Sequence, residues 1–129
     1  MNPQVELTDG DAKRVDSPAH ARRWLRSMLV DVAPARSIDD ACLLVSELVT
    51  NAFIHGGGTP AVRARLDADQ LLLSVIDKSS AQPVPRPFGA ADETGGLGLT
   101  IVDRLTSAWG VDTVPGAKVV WAHMPLAGR

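Results

Sequence analysis

Glu47, Asn51 and His55 recur at intervals of four residues. In a helix that spacing turns only about 80° over the set, so the three polar side chains form one stripe. Ala41, Leu44, Val45, Leu48 and Ala52 lie to one side of it, and Leu43 and Ile54 to the other. A polar stripe with apolar borders on both sides suits a partly closed site, although a boundary stripe that satisfies its own local hydrogen bonds has the same pattern. The residue types suit the metal and phosphates of a nucleotide. Mg²⁺ takes oxygen ligands, keeps several waters and uses few protein groups besides the phosphates. An Asn carboxamide oxygen can be one such group without adding charge. A Glu one turn away can orient or deprotonate an attacking hydroxyl or water.

Two further elements add to this stripe. Asp77 ends the apolar run Leu71-Leu72-Leu73-Ser74-Val75-Ile76, and a buried carboxylate needs a partner. The exocyclic amine of adenine is one donor that satisfies it; a turn or cap role is the other reading. Gly95-Gly96-Leu97-Gly98 then opens a helical segment. Glycines let backbone N–H groups approach phosphate oxygens, and a helix N-terminus favours anions, although glycines in a loop also serve simply as turn residues. The run does not follow a strand directly, which argues against a dinucleotide fingerprint, and no G-x-x-x-x-G-K-[ST] run is present.

The elements that must position these residues can be read from periodicity. Ser17 and Pro18 open a helix to about Asp31 with apolar positions Ala21, Trp24, Leu25, Met28, Leu29 and Val32. Ser37-Ile38-Asp39-Asp40 resembles a capping box for a second helix over Ile38–His55, which Gly56-Gly57-Gly58 stops. Val62, Ala64 and Leu66 alternate with Arg63 and Arg65 as a half-buried strand. A turn near Asp67–Gln70 leads into the strand that ends at Asp77. Residues 78–94, with Pro83, Pro85 and Pro87, read as a long helix-free loop of the kind that forms lids. A third helix through Ile101, Val102, Leu105 and Ala108 is expected to close at Gly110. Strands near Val111–Val114 and Lys118–Met124 flank a turn at Pro115-Gly116, and a short strand near Val5–Thr8 is the remaining candidate. Helices covering one face of a mixed sheet bury this pattern as an α+β, two-layer sandwich.

Composition narrows the function classes. The 129 residues suffice for one domain with a real core, and 45% hydrophobic with 22% charged residues is ordinary for a soluble globular chain. A formal net charge of -2 argues against direct nucleic-acid binding through the phosphate backbone. No apolar run approaches the roughly 20 residues that cross a bilayer, and the N-terminus lacks a signal-peptide pattern. One cysteine, Cys42, excludes an internal disulfide and reads as a buried core thiol. The expectation is a cytoplasmic protein. His20, His55 and His123 lack metal-ligand spacing. Trp24, Trp109 and Trp121 read as packing residues, Arg22, Arg23 and Arg26 as a solvated face, and Lys78 and Arg86 as loop cations within reach of phosphates.

Two stretches match a known family. Glu47-Leu48-Val49-Thr50-Asn51-Ala52-Phe53-Ile54-His55-Gly56 resembles the N box of the gyrase, Hsp90, histidine-kinase and MutL (GHKL) ATPases, and Glu93-Thr94-Gly95-Gly96-Leu97-Gly98-Leu99 resembles their second glycine box. Within that superfamily residues 18–124 resemble stand-alone actinobacterial ATP-binding regulators related to anti-sigma factor serine kinases. The resemblance implies one domain over residues 1–129 with the Bergerat ATP-binding fold, an ATP lid at 78–94, and ATP and Mg²⁺ as cofactors. It assigns Asn51 to the metal, Glu47 to general base, and Asp77 to adenine. Gly95, Gly96 and Gly98, with Leu97 and Leu99 in the same run, fall to the phosphates, and His55 closes the helix near them. Two positions depart from the pattern. Lys78-Ser79-Ser80-Ala81 replaces the usual glycines after the adenine aspartate, and Val119 stands where relatives often carry a threonine supporting the adenine site through water. The implied function is an anti-sigma-type serine/threonine kinase that holds a sigma factor and phosphorylates a serine of an antagonist protein. The alternative is a catalytically weak, ATP-responsive binding module acting on a transcription-factor partner. A homodimer is left open.

Overall fold

The computed structural model describes residues 4–5, 12–56, 59–77 and 96–126. In chain order these form β1 (Gln4–Val5), β2 (Lys13–Arg14), α1 (Pro18–Leu29), α2 (Ala35–His55), β3 (Ala61–Asp67), β4 (Gln70–Asp77), α3 (Gly96–Leu105), β5 (Ala108–Val114) and β6 (Ala117–Pro125). The sheet order is β1-β3-β4-β6-β5, and β2 pairs with the same edge of β3 as β1 does. Every pairing among the described residues is antiparallel, in place of the mixed sheet expected. The reason lies in the connections. Tight turns join β3 to β4 and β5 to β6, and antiparallel neighbours are what such turns join. The segment through α3 carries the chain to the far edge, so β6 re-enters beside β4 running the opposite way.

Strand alternation divides the sheet into two faces. Val62, Ala64, Leu71, Leu73, Val75, Val120, Ala122 and Met124 are buried on the helix side. Arg63, Arg65, Leu72, Ser74, Trp121 and His123 occupy the other face and are half-buried. The central helix α2 supplies Leu44, Val45, Leu48 and Val49 to the core, α1 adds Leu25 and Leu29, and α3 adds Val102. Shortening Leu44, which is 0% exposed, leaves a cavity that the surrounding layer fills only in part. Leu44→Ala is therefore expected to cost about 2–5 kcal/mol in urea unfolding.

Helix ends show where local signals held and where packing overrode them. Ser17 caps α1 as expected, its Oγ accepting the His20 N–H at 3.0 Å. For α2 the expected capping box is not the start. The Ile38 N–H already bonds to the Pro34 carbonyl at 3.0 Å, so the helix begins at Ala35 and Ser37 is buried within its first turns. The third helix ends at Leu105, earlier than expected. Thr106 donates both its N–H (3.1 Å) and its hydroxyl (2.7 Å) to the Val102 carbonyl, and the Ser107 N–H passes to the His123 carbonyl of β6 at 2.8 Å. Gly110 then sits within β5 opposite Trp121. A Cβ there would lie 2.6 Å from the indole ring, so glycine is needed for close approach and not as a helix stop.

The arginines of α1 do more than face solvent. Arg22 donates to Ser46 Oγ at 2.7 Å and Arg26 to Asp39 at 3.1 Å, tying α1 to α2. The Arg26–Asp39 pair is solvent-exposed and is worth at most about 1 kcal/mol. Cys42 is 3% exposed in the same seam, where burial pushes its thiol up and its S–H points to the Arg22 carbonyl. Trp24 and Trp109 pack against the core, and the Trp109 indole N–H is held by Asp103 at 2.8 Å.

Candidate functional site

The helix α2 is long enough to hold the whole polar stripe in one rigid element. Glu47 and Asn51 are half-buried on it, and His55 is exposed in its last turn. The Asn51 side-chain N–H donates to the Glu47 backbone carbonyl at 2.8 Å. That bond commits the amide nitrogen to its own helix, and Oδ1 remains an acceptor with two lone pairs. A neutral oxygen held this way has its orientation set before any ligand arrives.

Asp77 is at the end of the central strand β4, on the same face as Leu71, Leu73 and Val75. It is 3% exposed, and its Oδ1 is buried with no hydrogen-bond partner. An unsatisfied buried acceptor of this kind costs about 1–3 kcal/mol until a donor reaches it. The end of α2 closes over this carboxylate. Gly56 caps the helix, its N–H bonding to the Ala52 carbonyl at 2.8 Å, and a Cβ at Gly56 would lie 1.8 Å from Asp77 Oδ2. The fold therefore joins the helix bearing Asn51 to Asp77 by direct contact.

Register decides which residues border Asp77. Its partner across β6 is Lys118, whereas Val119 pairs with Ile76 and Asp112 on the opposite face of the sheet. The expectation that Val119 borders the adenine site is thus corrected: alternation turns its side chain away from Asp77. Gly56 and Lys118 are the two neighbours that sequence reasoning missed. Gly56 had a signal, the first of three glycines after the stripe, but it reads only as a helix stop. Lys118 becomes visible by counting inward along β6 from buried Val120.

The glycine run is described in part. Gly96, Leu97, Gly98 and Leu99 form the start of α3, which packs alongside α2. Gly95, Lys78-Ser79-Ser80-Ala81, Arg86 and the 78–94 loop lie outside the described residues. Among the described residues no group of three His, Cys, Asp or Glu side chains could hold a metal, and no helix is long and apolar enough to cross a membrane. What the described residues fit is a ligand bringing a hydrogen-bond donor to Asp77 and an oxygen-seeking cation to Asn51.

Comparison with known proteins gives this geometry its context. The anti-sigma F factor of Clostridium beijerinckii is 28% identical over 120 residues, spanning 81% of this chain and 84% of that protein. Among solved structures, the RsbU and RsbW domains of a Mycobacterium tuberculosis protein superpose with a TM-score of 0.64 at 24% identity, covering 96% of this chain and 32% of that one. The histidine kinase domain of an Erythrobacter litoralis blue-light activated histidine kinase superposes at 0.61 with 18% identity, covering 85% of this chain and 59% of that one. This chain thus spans less than two thirds of either structure, and at such identities the likeness is one of fold. A match to the histidine kinase-like ATPase domain runs over residues 12–124, nearly the whole chain, and the protein belongs to that family.

Proposed function

We propose that the protein binds Mg·ATP and acts in the cytoplasm as an anti-sigma factor-type serine/threonine kinase, holding a sigma factor and phosphorylating a serine of its antagonist. The observation that carries this reading is the contact of the Asn51 helix with a buried, unpartnered Asp77 through Gly56. Similarity to the Clostridium beijerinckii anti-sigma F factor supports the partner class. Asp77 accepts the adenine amine, and Asn51 Oδ1 holds Mg²⁺. Backbone N–H groups of Gly95, Gly96, Leu97, Gly98 and Leu99 face the phosphates, with His55 nearby. Bound Mg²⁺ supplies charge neutralisation of the phosphate oxygens. Glu47, one turn before Asn51, orients the incoming serine hydroxyl and takes its proton as that oxygen bonds to the γ-phosphorus, while the bond from the γ-phosphorus to the β,γ-bridging oxygen breaks and ADP leaves.

The test is transfer of label from ATP to the cognate antagonist. Wild type is expected to label one serine, and Glu47→Gln to do so about 10²–10⁴-fold more slowly with nucleotide affinity kept. Equal rates in the two proteins would remove the base role. No transfer to an antagonist that demonstrably binds favours the second reading, an ATP-responsive binding module. Lys78-Ser79-Ser80-Ala81 in place of the glycines usual after the adenine aspartate is the observation behind that alternative. It requires partner affinity to differ with and without Mg·ATP.

A further inference from the structure

A carboxylate alone is an incomplete reader of a base. It accepts from any exocyclic amine, whether of adenine, cytosine or guanine, and says nothing about the atom beside that amine. Adenine presents there a ring nitrogen, N1, that is an acceptor. Reading the donor and acceptor edge together requires an acceptor and a donor side by side in the protein.

The sheet provides such a pair. Lys118 is the direct cross-strand partner of Asp77 on antiparallel β4 and β6. It shares the helix-side face with Val120, Ala122 and Met124, all buried, and is itself half-buried. Side chains directly opposite in an antiparallel pair have Cβ atoms about 4.5–5.5 Å apart. The four-carbon lysine stem can carry its ammonium across such a gap. No ion pair joins the two residues, and Asp77 Oδ1 is left without a partner, so the carboxylate and the ammonium are each available to a third group. Val119 faces the other side of the sheet and cannot serve.

We propose that Lys118 is a specificity-determining residue of the nucleotide site, donating to the ring nitrogen next to the amine that Asp77 accepts. This rests on the reading of Asp77 as the base-recognition carboxylate. The pair makes base recognition depend on two adjacent atoms, and it does so with a charged donor from the protein.

The experiment measures dissociation constants of Mg·ATP and Mg·1-deaza-ATP, in which N1 is replaced by C–H, for wild type, Lys118→Met and Asp77→Ala, with each variant's fold checked by its melting curve. Wild type is expected to prefer ATP by about tenfold. Lys118→Met should lose about that factor for ATP and bind both nucleotides alike. Lys118→Met retaining the wild-type preference, or weakening both nucleotides by one common factor as a phosphate contact would, overturns the proposal. Asp77→Ala binding ATP as tightly as wild type would instead overturn the base-site reading itself, and the Lys118 proposal with it.

Discussion

Asn51→Ala is expected to weaken Mg·ATP binding by about 10- to 100-fold, the loss of a contact to a charged partner. The Asn51 amide donates to the Glu47 carbonyl at 2.8 Å, which commits the nitrogen to the helix and restricts the carboxamide, so a bound cation would find Oδ1 already held. Removing the carboxamide removes both the oxygen and the device that aims it. Calorimetric titration with Mg²⁺ and again with EDTA separates this from a general loss of binding. In wild type the two titrations should differ strongly; in Asn51→Ala they should converge on the weak metal-free value. Asn51→Asp sharpens the test, because it keeps an oxygen but brings a carboxylate against the Glu47 carbonyl where an N–H donor was. Its affinity should fall between the two. An Asn51→Ala protein that still responds to Mg²⁺ like wild type would show that another group holds the metal.

The second large effect is expected at Gly56. Its φ of -98° and ψ of 177° are open to any residue, so backbone strain gives no reason for glycine. The reason is space. A methyl group at Gly56 would lie 1.8 Å from Asp77 Oδ2 and 2.5 Å from the Ala52 carbonyl oxygen. Asp77 can swing only by leaving its buried position, and the Ala52 carbonyl belongs to the last turn of α2 and cannot move without breaking the cap. Gly56→Ala should therefore cost about 1–3 kcal/mol and lower the melting midpoint by several degrees. It should also displace Asp77 and weaken ATP binding, which a change on the free surface would not do. In an Asp77→Ala background the added cost of Gly56→Ala should shrink, since the closer of the two clashes has gone. Strict additivity would mean that the two residues do not press on one another.

Much of the site is legible in the sequence because it is written in short-range periods. Four-residue spacing places Glu47, Asn51 and His55 on one helix stripe whatever surrounds them, and an apolar run ending in Asp77 marks a strand with a carboxylate at its tip. The contacts that complete the site are not local. Whether residue 118 or 119 of β6 faces Asp77 depends on pairing register, and a slip of one residue exchanges the faces. The family resemblance points to position 119 as support for the adenine site, and the register instead sets Lys118 opposite Asp77. The same limit applies to Gly110, which looks like a helix terminator until the Trp121 ring across the strand pair explains it. The early start of α2 at Ala35 and the salt link from α1 through Arg26 likewise arise from tertiary packing, which hides or competes with the local cap signal.

The meeting of Gly56 with Asp77 also sets an electrical polarity. The aligned peptide dipoles of α2 place about half a negative charge at its C-terminal end, and that end abuts a carboxylate. These two negative features, offset in part by Lys118 opposite Asp77 on β6, disfavour a triphosphate at this end and suit the electropositive edge of a ring. The N-terminal end of α3 has the opposite sign. On the proposed reading, a nucleotide entering between them would meet fields that favour its base at α2's terminus and its anionic tail at the start of α3.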